Sequence, residues 1–281
     1  HATNIAFPRN LIQNNHSYDW LVAHELAHHW FGDVVTCSSA EDMWINEGWA
    51  VFCESVYQEG MNGWEAYKSH IMSLQRDVIQ SAHINDGAVL PLYPVPQHVT
   101  YGTTVYDKGG ITAHTLRGYL GDSVFFDAVR GMVDSFAFKP MSSYQMRDYL
   151  TWKTGINMNG FFEGWVFEPG FPHFSIDSVA TVQNGTDFDV TVYVRQKMRQ
   201  RTSLTQDNRV EIGFVAPDFS VETRLMQFSG QTGSTTFTIG FDPEVVWMDP
   251  EDRLADAITA RTHIITQNGT HNFEDVMFKA E

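Results

Sequence analysis

The chain of 281 residues has only two cysteines, Cys37 and Cys53. Two thiols cannot build a disulfide framework, so a buried core must hold the fold. A chain of this length can supply one. A single Cys37–Cys53 bridge is open to it, but buried free thiols are the expectation. No run of about eighteen apolar residues occurs, so nothing is expected to span a membrane. No signal peptide is visible, which leaves export and compartment open. Basic residues are scarce: 18 Lys and Arg stand against 34 Asp and Glu, for a net charge of −16. The acidic excess is spread over both halves of the chain. With no basic patch, nucleic acid is not expected as a partner. Internal repeats and low-complexity segments are absent too. The apolar fraction, 43%, is that of an ordinary globular protein, and the length suits one large or two medium domains.

One short stretch carries chemistry. His24-Glu25-Leu26-Ala27-His28 lies in an apolar run flanked by Trp20-Leu21-Val22-Ala23 and Trp30-Phe31, which predicts a buried helix. On a helix His24 and His28 stand one turn apart and point the same way. Two imidazoles on one face can hold zinc, and Glu25 beside them can act as a base. A helix that buries three polar side chains in one turn needs something to satisfy them, and a metal ion does so. A catalytic zinc typically takes three protein ligands and leaves its fourth position to water. Glu47, nineteen residues after His28 in Trp44-Ile45-Asn46-Glu47-Gly48-Trp49-Ala50, is the expected third ligand. The metal-ligand set is therefore His24, His28 and Glu47, with one Zn2+ per chain.

These residues, at this spacing, resemble the zinc aminopeptidases of the aminopeptidase N and leukotriene hydrolase type, the gluzincins. Tyr106-Asp107-Lys108-Gly109 is similar to a Tyr-x-Lys-Gly segment of that family. The resemblance runs from residue 1 to about residue 172 and continues more weakly beyond. It implies hydrolysis of N-terminal residues from peptides by a zinc-activated water. Glu25 would be the general base, Tyr106 a hydroxyl donor to the oxyanion, and peptides with a free N-terminus the substrates. The family's Gly-x-Met-Glu-Asn strand, whose glutamate grips the substrate amine, would end about where His1-Ala2-Thr3-Asn4 begins. The chain is therefore expected to be a fragment lacking the family's N-terminal domain, and a poor catalyst by itself. Zinc-bound histidines usually donate their second nitrogen to a carboxylate or carbonyl. Asp33 and Asp42 are the nearest candidates in sequence. His29 is expected to be a surface residue or to lie behind the ligands, and Tyr101 is a candidate cleft residue.

Periodicity sketches the rest. Ser17 is a plausible cap for the helix carrying the histidines, which should stop near Gly32. A short extended stretch follows at residues 34–36. Ser39 to Asp42 would cap the helix presenting Glu47, and a third helix covers about residues 62–83. Residues 84–104, with Pro91, Pro94 and Pro96, read as a long ordered loop. Helices are expected again at about residues 107–120, 122–136, 143–153 and 161–167. After Glu168-Pro169-Gly170 the period becomes two, with strands at about 174–179, 188–194, 209–215, 220–227, 234–241 and 244–248. Asn184-Gly185 reads as a hairpin turn, and residues 262–280 as a further hairpin. The resulting fold class is α+β: a helical, thermolysin-like zinc catalytic domain over residues 1–168, then an antiparallel β-sandwich over 169–281. Two other functions fit part of the pattern, a thermolysin-like endopeptidase and a non-catalytic zinc-containing scaffold module. The Asn-Glu-Gly-Trp-Ala context and the tyrosine segment argue against the first. The intact ligands and base argue against the second. Oligomeric state is not legible.

Overall fold

A computed structural model describes residues 4–7, 9–12 and 16–257, and the backbone of 263–265. The chain divides into two compact units at Pro169/Gly170.

The first unit is helical. Helix α1 (Asp19–Ala27) starts after Tyr18, not at Ser17, and the Tyr18 side chain makes no cap bond among the described residues. One further irregular turn reaches Phe31, held by the Ala27 carbonyl. Gly32 then turns the chain at φ 143°, a backbone angle that favours glycine. Strand β1 (Val35–Cys37) follows. The helix expected from Ser39 is in fact two pieces: a 3-10 segment (Ala40–Ile45) and α2 (Glu47–Asn62), which meet at Asn46. Asn46 locks that junction to β1. Its Oδ1 accepts from the Cys37 amide at 2.9 Å and its Nδ2 donates to Thr36 Oγ1 at 3.2 Å. Glu47 is thereby fixed as the first residue of α2.

Helix α3 (Trp64–Asp77) runs through a π-turn (Val78–Ala82) into α4 (His83–Asn85). The proline loop comes next, and a second π-turn (Thr104–Lys108) opens α5 (Gly109–Leu120). The unit closes with α6 (Asp122–Ser135), strand β2 (Lys139–Met141), α7 (Ser143–Thr154) and α8 (Asn159–Phe162). Sequence periodicity gave no sign of β2, which pairs in parallel with β1. Three residues are too few to show a period of two.

Helix α2 is the spine of this unit. Trp49 is buried on it, stacked on Phe31 at 4.9 Å and on Phe125 at 6.1 Å between ring centroids. Its Gly48 meets Gly109 of α5 backbone to backbone. A Cβ placed on Gly48 would stand 2.6 Å from the Gly109 Cα, and one on Gly109 would stand 2.8 Å from the Gly48 Cα. Neither position has room for a side chain, so the residue after Glu47 touches the residue three after Tyr106. Arg117 of α5 adds a second tie. It is 2% exposed, reaches Glu59 of α2 at 2.6 Å and Asp122 of α6 at 2.9 Å, and lies over the Tyr67 ring of α3 at 4.9 Å.

The second unit consists of two antiparallel sheets among its described residues. Strands β3 (Phe171–Asn184), β4 (Asp187–Arg199) and β7 (Thr232–Ile239) form one, in the order β3-β4-β7. Strands β5 (Asn208–Val215), β6 (Val221–Phe228), β8 (Val245–Met248) and β9 (His263–Ile265) form the other, in the order β6-β5-β8-β9. Alternate residues of each sheet, Val190, Val192 and Val194 on β4 and Val210, Ile212 and Phe214 on β5, are buried. Phe214 meets Phe237 and Phe174 meets Phe228 across the two sheets, at 5.4 and 5.6 Å, which makes the unit a sandwich. Asn184 and Asp187 end the β3–β4 ladder around Gly185 at φ 66°. Most of the expected 262–280 hairpin lies outside the described residues, as do His1 to Thr3.

Cys37 and Cys53 are free and half-buried, and burial pushes the Cys53 thiol up to about 12. Among the described residues no helix is long and apolar enough to cross a membrane.

Candidate metal centre

His24 lies in the last turn of α1, and His28 caps that helix. Both are buried. Glu47 reaches them from the first turn of α2, which lies against α1. The three donor atoms form a nearly equilateral triangle. His24 Nε2 and His28 Nε2 are 3.1 Å apart, and Glu47 Oε2 is 3.3 Å from the first and 3.2 Å from the second. Among the described residues this is the one His/Cys/Asp/Glu group arranged to hold a metal ion. Tetrahedral ligation at zinc distances needs donor atoms about 3.3–3.4 Å apart, so the triangle is the right size.

The outer nitrogens decide what the inner ones offer. His24 Nδ1 donates to Glu54 Oε1 at 2.8 Å, and His28 Nδ1 donates to the Phe31 carbonyl at 2.9 Å. A carboxylate and a carbonyl can only accept, so each Nδ1 carries its proton and each neutral ring turns an Nε2 lone pair inward. Two lone pairs and a carboxylate converging on one point repel unless positive charge sits among them. The titration behaviour shows the same demand. Burial disfavours charge on His24, yet the hydrogen bonds and charges of Glu47 and Glu54 overcome it and raise its pKa to about 9. Burial also works against ionised Glu47, and the two histidines overcome it to hold Glu47 at about 2. His28 is raised as well, with Glu47 and the Phe31 carbonyl outweighing its burial. Without a metal, the positive charge comes from protons.

Sequence proximity pointed to the wrong partners for the histidines. Asp42 instead accepts from the amide and hydroxyl of Ser143, at 2.8 and 2.7 Å, and from Ser38 Oγ at 2.8 Å. It ties the 3-10 segment to α7. Asp33 Oδ2 is buried with no hydrogen-bond partner among the described residues. Glu54 takes the role on His24 because it lies seven residues, two helical turns, beyond Glu47 on the same face of α2. That i, i+7 relation was present in the sequence as a signal. The Phe31 carbonyl left none, because it depends on the irregular turn before Gly32. His29 is half-buried beside Trp30, off the triangle.

Tyr106 stands beside His24, and the charge of Glu25 acts on its phenol. The Tyr106 ring stacks parallel to His24, with centroids 5.9 Å apart and planes inclined by 3°. Burial raises the Tyr106 phenol, and the charge of and hydrogen bond to Glu47 raise it further, with a contribution from Glu25. Tyr106 therefore keeps its proton at neutral pH and can donate it in a hydrogen bond. Tyr101 is 71% exposed and adds to the field on Tyr106.

The helical unit and its clustered donors are of the metallopeptidase type. The chain belongs to peptidase family M1, whose domain model matches residues 3–165. It is 25% identical over 227 residues to a probable aminopeptidase 1 of Sulfurisphaera tokodaii, which covers 73% of this chain and 28% of that protein. It is 29% identical over 170 residues to aminopeptidase N of Lactococcus lactis, over 57% of the chain and 19% of the relative. With aminopeptidase N of Canis lupus familiaris it shares 26% over 233 residues, 77% of the chain and 23% of the relative. The chain thus spans between about a fifth and a little over a quarter of the length of these relatives. Among solved structures, aminopeptidase A of Legionella pneumophila superposes with a TM-score of 0.63 at 16% identity, covering 84% of this chain and 26% of that one.

Proposed function

We propose that this chain carries the catalytic centre of a zinc aminopeptidase, held by the helical unit of residues 1–168, with the sandwich of residues 169–281 as an accessory domain. The observation that carries the reading is the triangle of His24 Nε2, His28 Nε2 and Glu47 Oε2, with edges of 3.1 to 3.3 Å. These three residues would hold zinc. Bound there, the ion would supply Lewis acidity and a water acidified to near neutral pH. Glu25 adjoins the first ligand and takes the proton that the attacking water gives up, then returns it to the leaving amine. Tyr106, protonated and directed at the same space, donates to the oxygen that gains negative charge as the peptide carbonyl becomes tetrahedral. Glu54 and the Phe31 carbonyl keep the two rings in the tautomer that presents Nε2. Peptides with a free N-terminus are the proposed substrates, a reading supported by the names of the relatives.

The test is a metal titration paired with an assay. One zinc per chain is expected, together with hydrolysis of aminoacyl arylamides by the native protein that chelation abolishes and zinc restores. Zinc bound at some other stoichiometry, or turnover indifferent to chelation, would overturn the proposal.

Protons should compete with the metal. The pKa of His24 is about 9 without a metal, so at pH 7 zinc must displace at least one proton. Affinity is expected to rise at least about tenfold per pH unit up to about pH 9, then level off. Stability of the metal-free protein should run the opposite way. Charged His24 stabilises the fold fully below its unfolded pKa of about 6.5, and that contribution is lost as the pH rises through about 9. Calorimetry in buffers of different ionisation enthalpy reads the proton release directly. Binding that is independent of pH across this window would mean that His24 is not a ligand.

A further inference from the structure

Tyr106 lies on a π-turn that follows the proline loop, and a turn at the end of a loop needs something to hold it. Asp86 stands where the chain leaves α4 and enters that loop, and it is 7% exposed. Its own amide is bound to the Ala82 carbonyl at 2.9 Å, which roots it in the preceding helical turn. Its carboxylate reaches across the loop. Oδ1 accepts from the Thr103 amide at 3.0 Å and Oδ2 from the Thr104 amide at 2.7 Å. The next two amides, of Val105 and Tyr106, are bound to the Gly102 carbonyl at 3.0 and 3.2 Å. Asp86 therefore takes the two opening amides that no carbonyl of the turn can reach, and places a negative charge where the turn presents its positive end. The neighbouring Asn85 Nδ2 donates to Thr103 Oγ1 at 3.1 Å. Gly102 makes room for this contact, since a Cβ there would collide with the Asp86 carboxylate.

We infer that Asp86 is a positioning residue for Tyr106: by closing the base of the proline loop it sets where the Tyr106 hydroxyl stands relative to the metal ligands. The inference rests on Tyr106 acting as the oxyanion donor. Beyond Tyr106 the segment is pinned independently. Lys108 Nζ donates to the Leu90 carbonyl at 2.9 Å, and Gly109 abuts Gly48. The carboxylate holds the Thr103 and Thr104 amides directly, and Val105 and Tyr106 follow them in the turn. Tyr106 is its chemically important passenger, with the ring laid flat against His24. Loss of the carboxylate would loosen the opening of the turn that carries Tyr106 and leave α5 and the ligands in place.

Four single variants and one double variant of the native, zinc-loaded protein test this. Tyr106→Phe sets the reference, because loss of one oxyanion donor costs about 10²–10³ in kcat. Asp86→Ala is expected to lower kcat by roughly 10- to 100-fold, since a misplacement of about 1 Å costs on the order of 10². KM should stay within about threefold and zinc content should not change. Asp86→Asn keeps one acceptor and should recover part of the loss. Gly102→Ala, which pushes the carboxylate aside without removing it, should reproduce the Asp86→Ala pattern and serves if that variant folds poorly. The decisive comparison is the double variant. In a Tyr106→Phe background Asp86→Ala should cost less than about twofold further, because it acts through a hydroxyl no longer present. In metal-free protein, hydrogen exchange of the amides at residues 103–106 should quicken at least about tenfold in Asp86→Ala, while α5 keeps its protection. An Asp86→Ala variant with unchanged kcat, or one with an equal loss in both backgrounds, overturns the inference. If Tyr106→Phe itself retains full turnover, the donor role of Tyr106 fails and the inference fails with it. If Tyr106→Phe loses turnover and Asp86→Ala does not, only the inference fails.

Discussion

Glu25→Gln is expected to keep zinc and lose turnover. The substitution preserves the size of the side chain and its place on α1 between His24 and His28, and removes only its ability to hold a proton. Glu25 is no part of the donor triangle, whose edges run between His24, His28 and Glu47, so metal content should not change. General acid–base catalysis typically contributes about 10²–10⁴-fold, and the fall in kcat should be of that size, with KM little altered. The measurement is kcat on an aminoacyl arylamide at matched zinc occupancy. A variant within about tenfold of the native protein would show that another group accepts the proton of the water.

Glu47→Ala should have the opposite signature, with activity lost because the metal is lost. The alanine variant removes one corner of the triangle and the hydrogen-bond partner that most strongly raises His24 and His28. Removing a residue that merely orients a metal ligand typically costs 10–100-fold in affinity, and a ligand itself should cost more. Burial makes substitution by water a poor remedy, since the side chain is only 12% exposed. Dialysis against a graded chelator series, followed by metal analysis, gives the affinity. Zinc held as tightly as in the native protein would remove Glu47 from the ligand set. The two variants together separate binding from chemistry: one should be full of metal and inactive, the other empty.

The sequence by itself determined the class of fold, the helical order of the first unit, the change to strands near residue 170, and three residues worth placing around one metal ion. Those features are local. A period of 3.6 or 2 is written in neighbouring residues, and His24 and His28 need only one turn of helix to point the same way. Glu54 was within reach too, by the same helical arithmetic from Glu47. What only the tertiary structure decided is everything that depends on backbones meeting far apart in the chain. The Phe31 carbonyl becomes a partner of His28 because an irregular turn follows the helix before Gly32 redirects the chain. Asp42, closer in sequence to the histidines than Glu54, is drawn instead to Ser143, about a hundred residues away. The contact of Gly48 with Gly109 brings Glu47 to Tyr106, and the reach of Asp86 across the proline loop holds that tyrosine's turn. Glycines and single carboxylates carry no periodicity, so nothing local marks them. Their role exists only once two helices have approached closely enough to exclude a Cβ, or a loop has closed and left two amides in need of an acceptor.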